Sequence, residues 1–114
     1  MSRDDAVLLD LLIASRRAVE FASGVTREQR ESDLKTQSAI LHQLLVLGEA
    51  VKRLSDTFRD SHSETPWKAV AGMRDRIIHG YDDVDLGEVW RTVAHDLPLL
   101  ISILEPLVPK KPSP

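Results

Sequence analysis

The chain has 114 residues and no cysteine, is 42% hydrophobic and 29% charged, and carries a formal net charge of −3. These values describe one ordinary globular domain. They exclude a disulfide scaffold, a zinc ribbon, a thiol nucleophile and any global field that would draw in nucleic acid.

Apolar residues recur at spacings of three and four without period-two alternation, so the chain reads as helices. The first helix is expected from about Asp4 to about Ala22, on the stripe Val7, Leu11, Ala14, Ala18 and Phe21. Leu8, Leu9, Leu12 and Ile13 widen that stripe until it needs cover on more than one side, which a second copy of the chain would supply. Charges at Arg3, Asp4, Asp5, Asp10, Arg16 and Arg17 argue against a signal peptide or a membrane span, and a cytoplasmic address is expected. A polar connection follows, in which Thr26 and Gln29 are spaced to cap an extra turn. The second helix is expected from Ser32 or Asp33 to about Phe58, with Gly48 marking a close helix crossing. Thr65-Pro66 opens a short third helix that ends at Ile78 or His79, where Gly80 is expected in the left-handed conformation. Asp85 and Glu88 form a capping-box-like pair for the fourth helix, which Pro98 should kink or split. Residues 1–108 thus form a single all-α domain, an antiparallel four-helix bundle, and 109–114 a disordered Pro/Lys tail.

Chemistry concentrates between Met73 and Asp83, where two arginines, a histidine, three acids and the sole tyrosine lie together. Histidine moves protons near neutral pH, and arginine grips phosphate with a two-pronged fork. The pair suits phosphodiester cleavage by an internal 2′-hydroxyl. Arg74 and His79 lie about 140° apart on an ideal helix, so they meet only if the helix end frays, if Arg74 reaches round or if a second protomer contributes. The plainer alternative is a helix C-terminus whose basic groups offset the macrodipole.

Arg74-Asp75-Arg76-Ile77-Ile78-His79-Gly80-Tyr81 resembles the R-x4-H-x-Y motif of the HEPN superfamily, in its HepT-like toxin branch. The resemblance extends through Gly48-Glu49-Ala50, Pro66-Trp67, Ala71-Gly72-Met73, Val84-Asp85-Leu86, Trp90 and Asp96-Leu97-Pro98. It implies a dimeric HEPN-like helical bundle and a metal-independent endoribonuclease without cofactor. Arg74 and His79 would be catalytic, with RNA as substrate. It also implies a minimal nucleotidyltransferase antitoxin as partner, which transfers AMP to Tyr81. Asp75, where relatives often carry asparagine, can orient Arg74 or Arg76 but brings negative charge near an anionic substrate. Across residues 74–85 two arginines face four aspartates.

Arg76 either touches phosphate or pairs with an acid, and Glu49 either orients a site arginine or forms a structural ion pair. Arg16, Arg17, Lys52, Arg53, Arg59 and Arg91 read mainly as solvated helix faces. His42 and His95 read as structural or surface histidines, His62 as a loop residue, and Trp67 and Trp90 as core anchors. No His/Asp/Glu spacing suggests a metal site. The alternative function is a non-catalytic helical module that binds a nucleotide or a partner through the same motif.

Overall fold

The computed structural model describes residues 2–80 and 85–109, and all their regular structure is helical. Helix α1 (Arg3–Ala22) opens with a capping box in which the Ser2 hydroxyl accepts the Asp5 N–H and the Asp5 carboxylate accepts the Ser2 N–H. Short α2 (Arg27–Ser32) is the expected extra turn, capped reciprocally by Thr26 and Gln29. Asp33 then caps α3 (Leu34–Arg53) by accepting the Thr36 N–H at 3.1 Å.

The apolar stripe predicts a second long helix reaching Phe58, but α3 stops at Arg53 and the chain restarts as α4 (Asp56–Ser61). A bond from a distant part of the sequence causes the break. Asp4 of α1 accepts both the N–H (2.9 Å) and the hydroxyl (2.7 Å) of Ser55. The Ser55 hydroxyl in turn accepts the Phe58 N–H at 3.1 Å and caps α4. The two bonds from Ser55 hold the Asp4 carboxyl below the ordinary aspartate range.

Helix α5 (Trp67–His79) begins where expected, without the expected side-chain cap. Pro66 adopts φ −79° and ψ 63°, and the Trp67 N–H reaches back to the Thr65 carbonyl at 2.8 Å. That inverse γ-turn sets the helix entry, and the buried Thr65 hydroxyl takes no part in it. Gly80 ends α5 at φ −141° and ψ 44°, outside the left-handed region expected for it. Its N–H still bonds the Arg76 carbonyl at 3.0 Å.

The last rod is split, as Pro98 implies. Helix α6 (Leu86–Arg91) leads through a π-helical turn at Thr92–Asp96 into α7 (Leu97–Leu104). Pro98 has no N–H and its ring crowds the carbonyl four residues back. The ladder widens just before it, and the Leu97 N–H reaches the Thr92 carbonyl five residues back.

Helix α1 lies between α3 and α7, and α5 packs on α3. Ion pairing of Asp10 with Arg53 (3.4 Å) and the Asp4–Ser55 bonds set the start of α1 against the end of α3, so the two run antiparallel. Leu8, Leu11, Ile40, Leu44, Leu47, Ile77 and Leu104 form the driest part of the core. The wide apolar surface of α1 is mostly covered inside the chain, since two neighbours bury Leu8 and Leu12. Ile13 and Phe21 remain exposed on it, at 37% and 38%. Trp67 and Trp90 are both buried, as core anchors should be. Among the described residues no helix is long and apolar enough to cross a membrane. Residues 110–114 of the expected tail lie outside the described residues.

Candidate active site

Gly48 builds the site. A Cβ placed there would lie 2.1 Å from the Arg74 Cβ and 3.2 Å from the Val70 carbonyl oxygen, so α5 touches the bare backbone of α3 at this point. Glu49 is adjacent to Gly48, and Lys52 follows it one turn later on the same face. The crossing thus delivers Glu49 and Lys52 to Arg74 and Asp75. Replacing Gly48 with alanine forces the helices apart. An overpacking cost of about 1–3 kcal/mol outweighs a gain of about 1 kcal/mol in helix propensity. Thermal unfolding of Gly48→Ala is expected to show a lowered Tm.

The four charges form one network. Arg74 donates through Nε to Glu49 Oε2 at 2.9 Å and through Nη1 to Asp75 Oδ1 at 3.0 Å. Lys52 Nζ donates to the same Asp75 oxygen at 2.6 Å. The Lys52 and Arg74 bonds, in that order, keep the Asp75 carboxyl below its usual range, so it stays ionised well into acid. Such half-exposed ion pairs add little to stability. Their effect here is geometric, because a guanidinium held on two edges has its plane fixed. Among the described residues Arg74 Nη2 holds no partner, and the side chain keeps 25% of its surface open.

The expected site residues are only partly gathered. Arg74, Asp75 and Glu49 meet, and Glu49 orients the arginine. Arg76 pairs with Glu88 Oε1 at 2.8 Å and ties α5 to α6, so it bonds neither Asp75 nor Arg74. His79 is the last residue of α5 and is exposed. Among the described residues no hydrogen bond or ion pair joins it to Arg74, in keeping with their positions on an unfrayed helix. Tyr81, Asp82 and Asp83 lie outside the described residues.

Lys52 reads from sequence as a solvated cation, yet it is a full member of the network. Its spacing of four from Gly48 is the signal that points there. Arg16, Arg53 and Arg59 do pair along the surface, with Glu105, Asp10 and Asp56. His42 and His95 are exposed. The His62 ring stacks on Phe58 at 4.2 Å, and its carbonyl accepts the Trp67 indole N–H at 3.0 Å. Among the described residues no three His, Asp or Glu side chains gather to hold a metal ion.

A family model described as "Ribonuclease HepT-like" matches residues 11–107. A "Probable ribonuclease HepT" of Thermococcus cleftensis is 38% identical over 100 residues, which are 88% of this chain and 91% of that protein. A "Putative RNase" of Caldanaerobacter subterraneus subsp. tengcongensis is 36% identical over 93 residues, 82% of this chain and 83% of that one. Another "Putative RNase", of Methanocaldococcus jannaschii, is 33% identical over 103 residues, 90% of this chain and 85% of that one. No solved structure matches the chain. The match spans the crossing, the charge network and the arginine–histidine segment together, and the chain belongs to the HepT-like ribonuclease family.

Proposed function

We propose that the protein is a metal-independent endoribonuclease, the toxin of a toxin–antitoxin pair, with Arg74 and His79 as its catalytic residues. The observation that carries this reading is the oriented fork of Arg74, clamped by Glu49 and Asp75 with Nη2 turned to no partner among the described residues. A fixed guanidinium can meet the charge that grows on a pentavalent phosphorus without reorganising. In the reaction the RNA 2′-oxygen attacks the adjacent phosphorus, and the bond to the 5′-oxygen breaks. The 2′-hydroxyl loses a proton to a base, and the departing 5′-oxygen gains one from an acid. His79 serves one of these transfers. The products are a 2′,3′-cyclic phosphate and a 5′-hydroxyl.

A homodimer completes the site in this reading. His79 stands apart from Arg74 within one chain, and Ile78 beside it leaves 46% of its surface exposed. A partner covering Ile78 could bring one protomer's histidine to the other's arginine. The protein would act in the cytoplasm, on RNA.

Incubation of purified protein with total RNA in excess EDTA tests the activity. Cleavage leaving cyclic-phosphate ends is expected, and intact RNA across varied substrates would remove the nuclease reading. The specific alternative is a non-catalytic nucleotide- or partner-binding module. It draws on the same network, in which two carboxylates already neutralise Arg74.

Control by the antitoxin follows from the motif. A minimal nucleotidyltransferase would pass AMP from ATP to the Tyr81 hydroxyl and release pyrophosphate. The added phosphate places negative charge and bulk next to His79, where a substrate phosphate must dock. Tyr81→Phe is expected to remain unmodified when co-expressed with such a transferase, as read by intact-mass spectrometry. AMP found on that variant would move the acceptor elsewhere.

A further inference from the structure

Arg16, Arg53, Arg59, Arg74 and Arg76 each sit in an ion pair with an acid. Arg3, Arg17, Arg27, Arg30 and Arg91 hold none among the described residues, and the last three line one cleft of about 490 Å³ between α2 and the α6–π-turn rod. His95 and Trp90 line it too, and Glu31 is its one acid among the described residues. On a protein of net charge −3, this is a concentrated cationic pocket.

The cleft is built rather than incidental. The Arg30 guanidinium lies over the Trp90 ring, 4.9 Å from its centroid, so stacking fixes the plane of the fork. The Arg30 carbonyl accepts the Gln37 side-chain amide at 2.6 Å, which moors α2 to α3. Trp90 is 8% exposed, yet its indole Nε1 is buried without an acceptor, as is Arg30 Nε. Buried donors are normally satisfied, so the unpaired Trp90 Nε1 and Arg30 Nε, with the cations of Arg27 and Arg91 beside them, point to an anionic acceptor. Trp90 cannot serve as a base-stacking platform, because it is buried and Arg30 occupies its face. The chemistry fits phosphate and leaves the base unread.

We propose that Arg27, Arg30 and Arg91 form a second, non-catalytic site that holds a backbone phosphate of the RNA strand. The inference takes its ligand from the ribonuclease reading. None of Glu49, Lys52, Arg74 and Asp75 lines the cleft; Trp90 faces α2 there, and Arg91 also borders the neighbouring groove of Arg76 and Glu88. The site anchors the strand by charge and contributes affinity, not cleavage chemistry.

A fluorescent 2′-O-methyl oligoribonucleotide tests this, because it lacks the attacking hydroxyl and reports binding alone. Anisotropy titrations over a range of salt concentrations should show Arg27→Gln/Arg91→Gln binding at least about tenfold more weakly. The slope of log affinity against log salt should flatten by about 0.7 for each phosphate that the variant no longer neutralises. Both residues are exposed, so the variant should melt like the parent, and Arg27→Lys/Arg91→Lys should recover much of the affinity. In NMR titrations the Trp90 indole N–H resonance should move, while that of Trp67, bonded to the His62 carbonyl, should stay.

Unchanged affinity and slope in the glutamine variant, with a wild type that binds and cleaves RNA, would overturn the site and leave the nuclease standing. A wild type that neither binds the oligomer nor cleaves RNA would overturn both. AMP or inorganic phosphate moving the Trp90 resonance where the oligomer does not would overturn the RNA assignment in favour of a small-anion site.

Discussion

His79→Ala is expected to keep its fold and lose RNA cleavage by about 10²–10⁴-fold, the range that a positioned general acid or base supplies. The fold should survive because the side chain is exposed on the last turn of α5, and the helix end is held by the Gly80 N–H bond to the Arg76 carbonyl. Exposed positions free of caps and networks usually tolerate truncation within about 0.5 kcal/mol. Circular dichroism melting alongside cleavage in EDTA separates the two effects. A folded variant with full activity would take the proton transfer away from His79. If the histidine acts across a dimer, mixing His79→Ala with an arginine-deficient variant should restore part of the activity. Each mixed dimer then carries one intact arginine–histidine pair.

The core and the site's scaffold are legible in the sequence because they rest on short-range patterns. Thr26 with Gln29, Asp33, and Asp85 with Glu88 are local capping signals, and the backbone amides they announce are capped in the structure. Gly48 announces a close crossing, and Arg74 is what crosses there. Pro98 announces a break, and a π-turn stands just before it. The departures share a different cause. The apolar stripe continues through Leu54 to Phe58, so nothing local shows that Asp4, 51 residues away, will take the Ser55 N–H and end α3. One sequence also does not reveal that α3 and α7 flank α1 on two sides and cover Leu8 and Leu12 while Ile13 and Phe21 stay exposed. The Glu49–Arg74–Asp75–Lys52 network is half visible. Arg74, Asp75 and Glu49 stand out by type, whereas Lys52 gains meaning only once the Gly48 crossing fixes the register of α5 on α3.

Arg74→Ala is expected to reduce cleavage by about 10²–10³-fold, the usual loss when one preorganised donor to a developing oxyanion is removed. The variant also unbalances the site. With the guanidinium gone, Glu49 and Asp75 face the substrate with only Lys52 to offset them, so RNA meets net negative charge where it had met none. KM should therefore rise as kcat falls. Arg74→Lys sharpens the assignment. It restores the charge, but an ammonium cannot present one edge to Glu49, another to Asp75 and a third to phosphate in a fixed plane. Recovery of KM with kcat still depressed is the expected pattern, since charge alone draws the strand in while the fork meets the transition state. Full recovery of kcat by lysine would show that Arg74 acts only as a point charge, and the clamp by Glu49 and Asp75 would then have no part in catalysis. Asp75→Asn discriminates further. It keeps an acceptor for Arg74 and removes a negative charge, so RNA affinity should rise about two- to tenfold if the carboxylate repels the strand, an effect on the scale of a single partly screened charge pair.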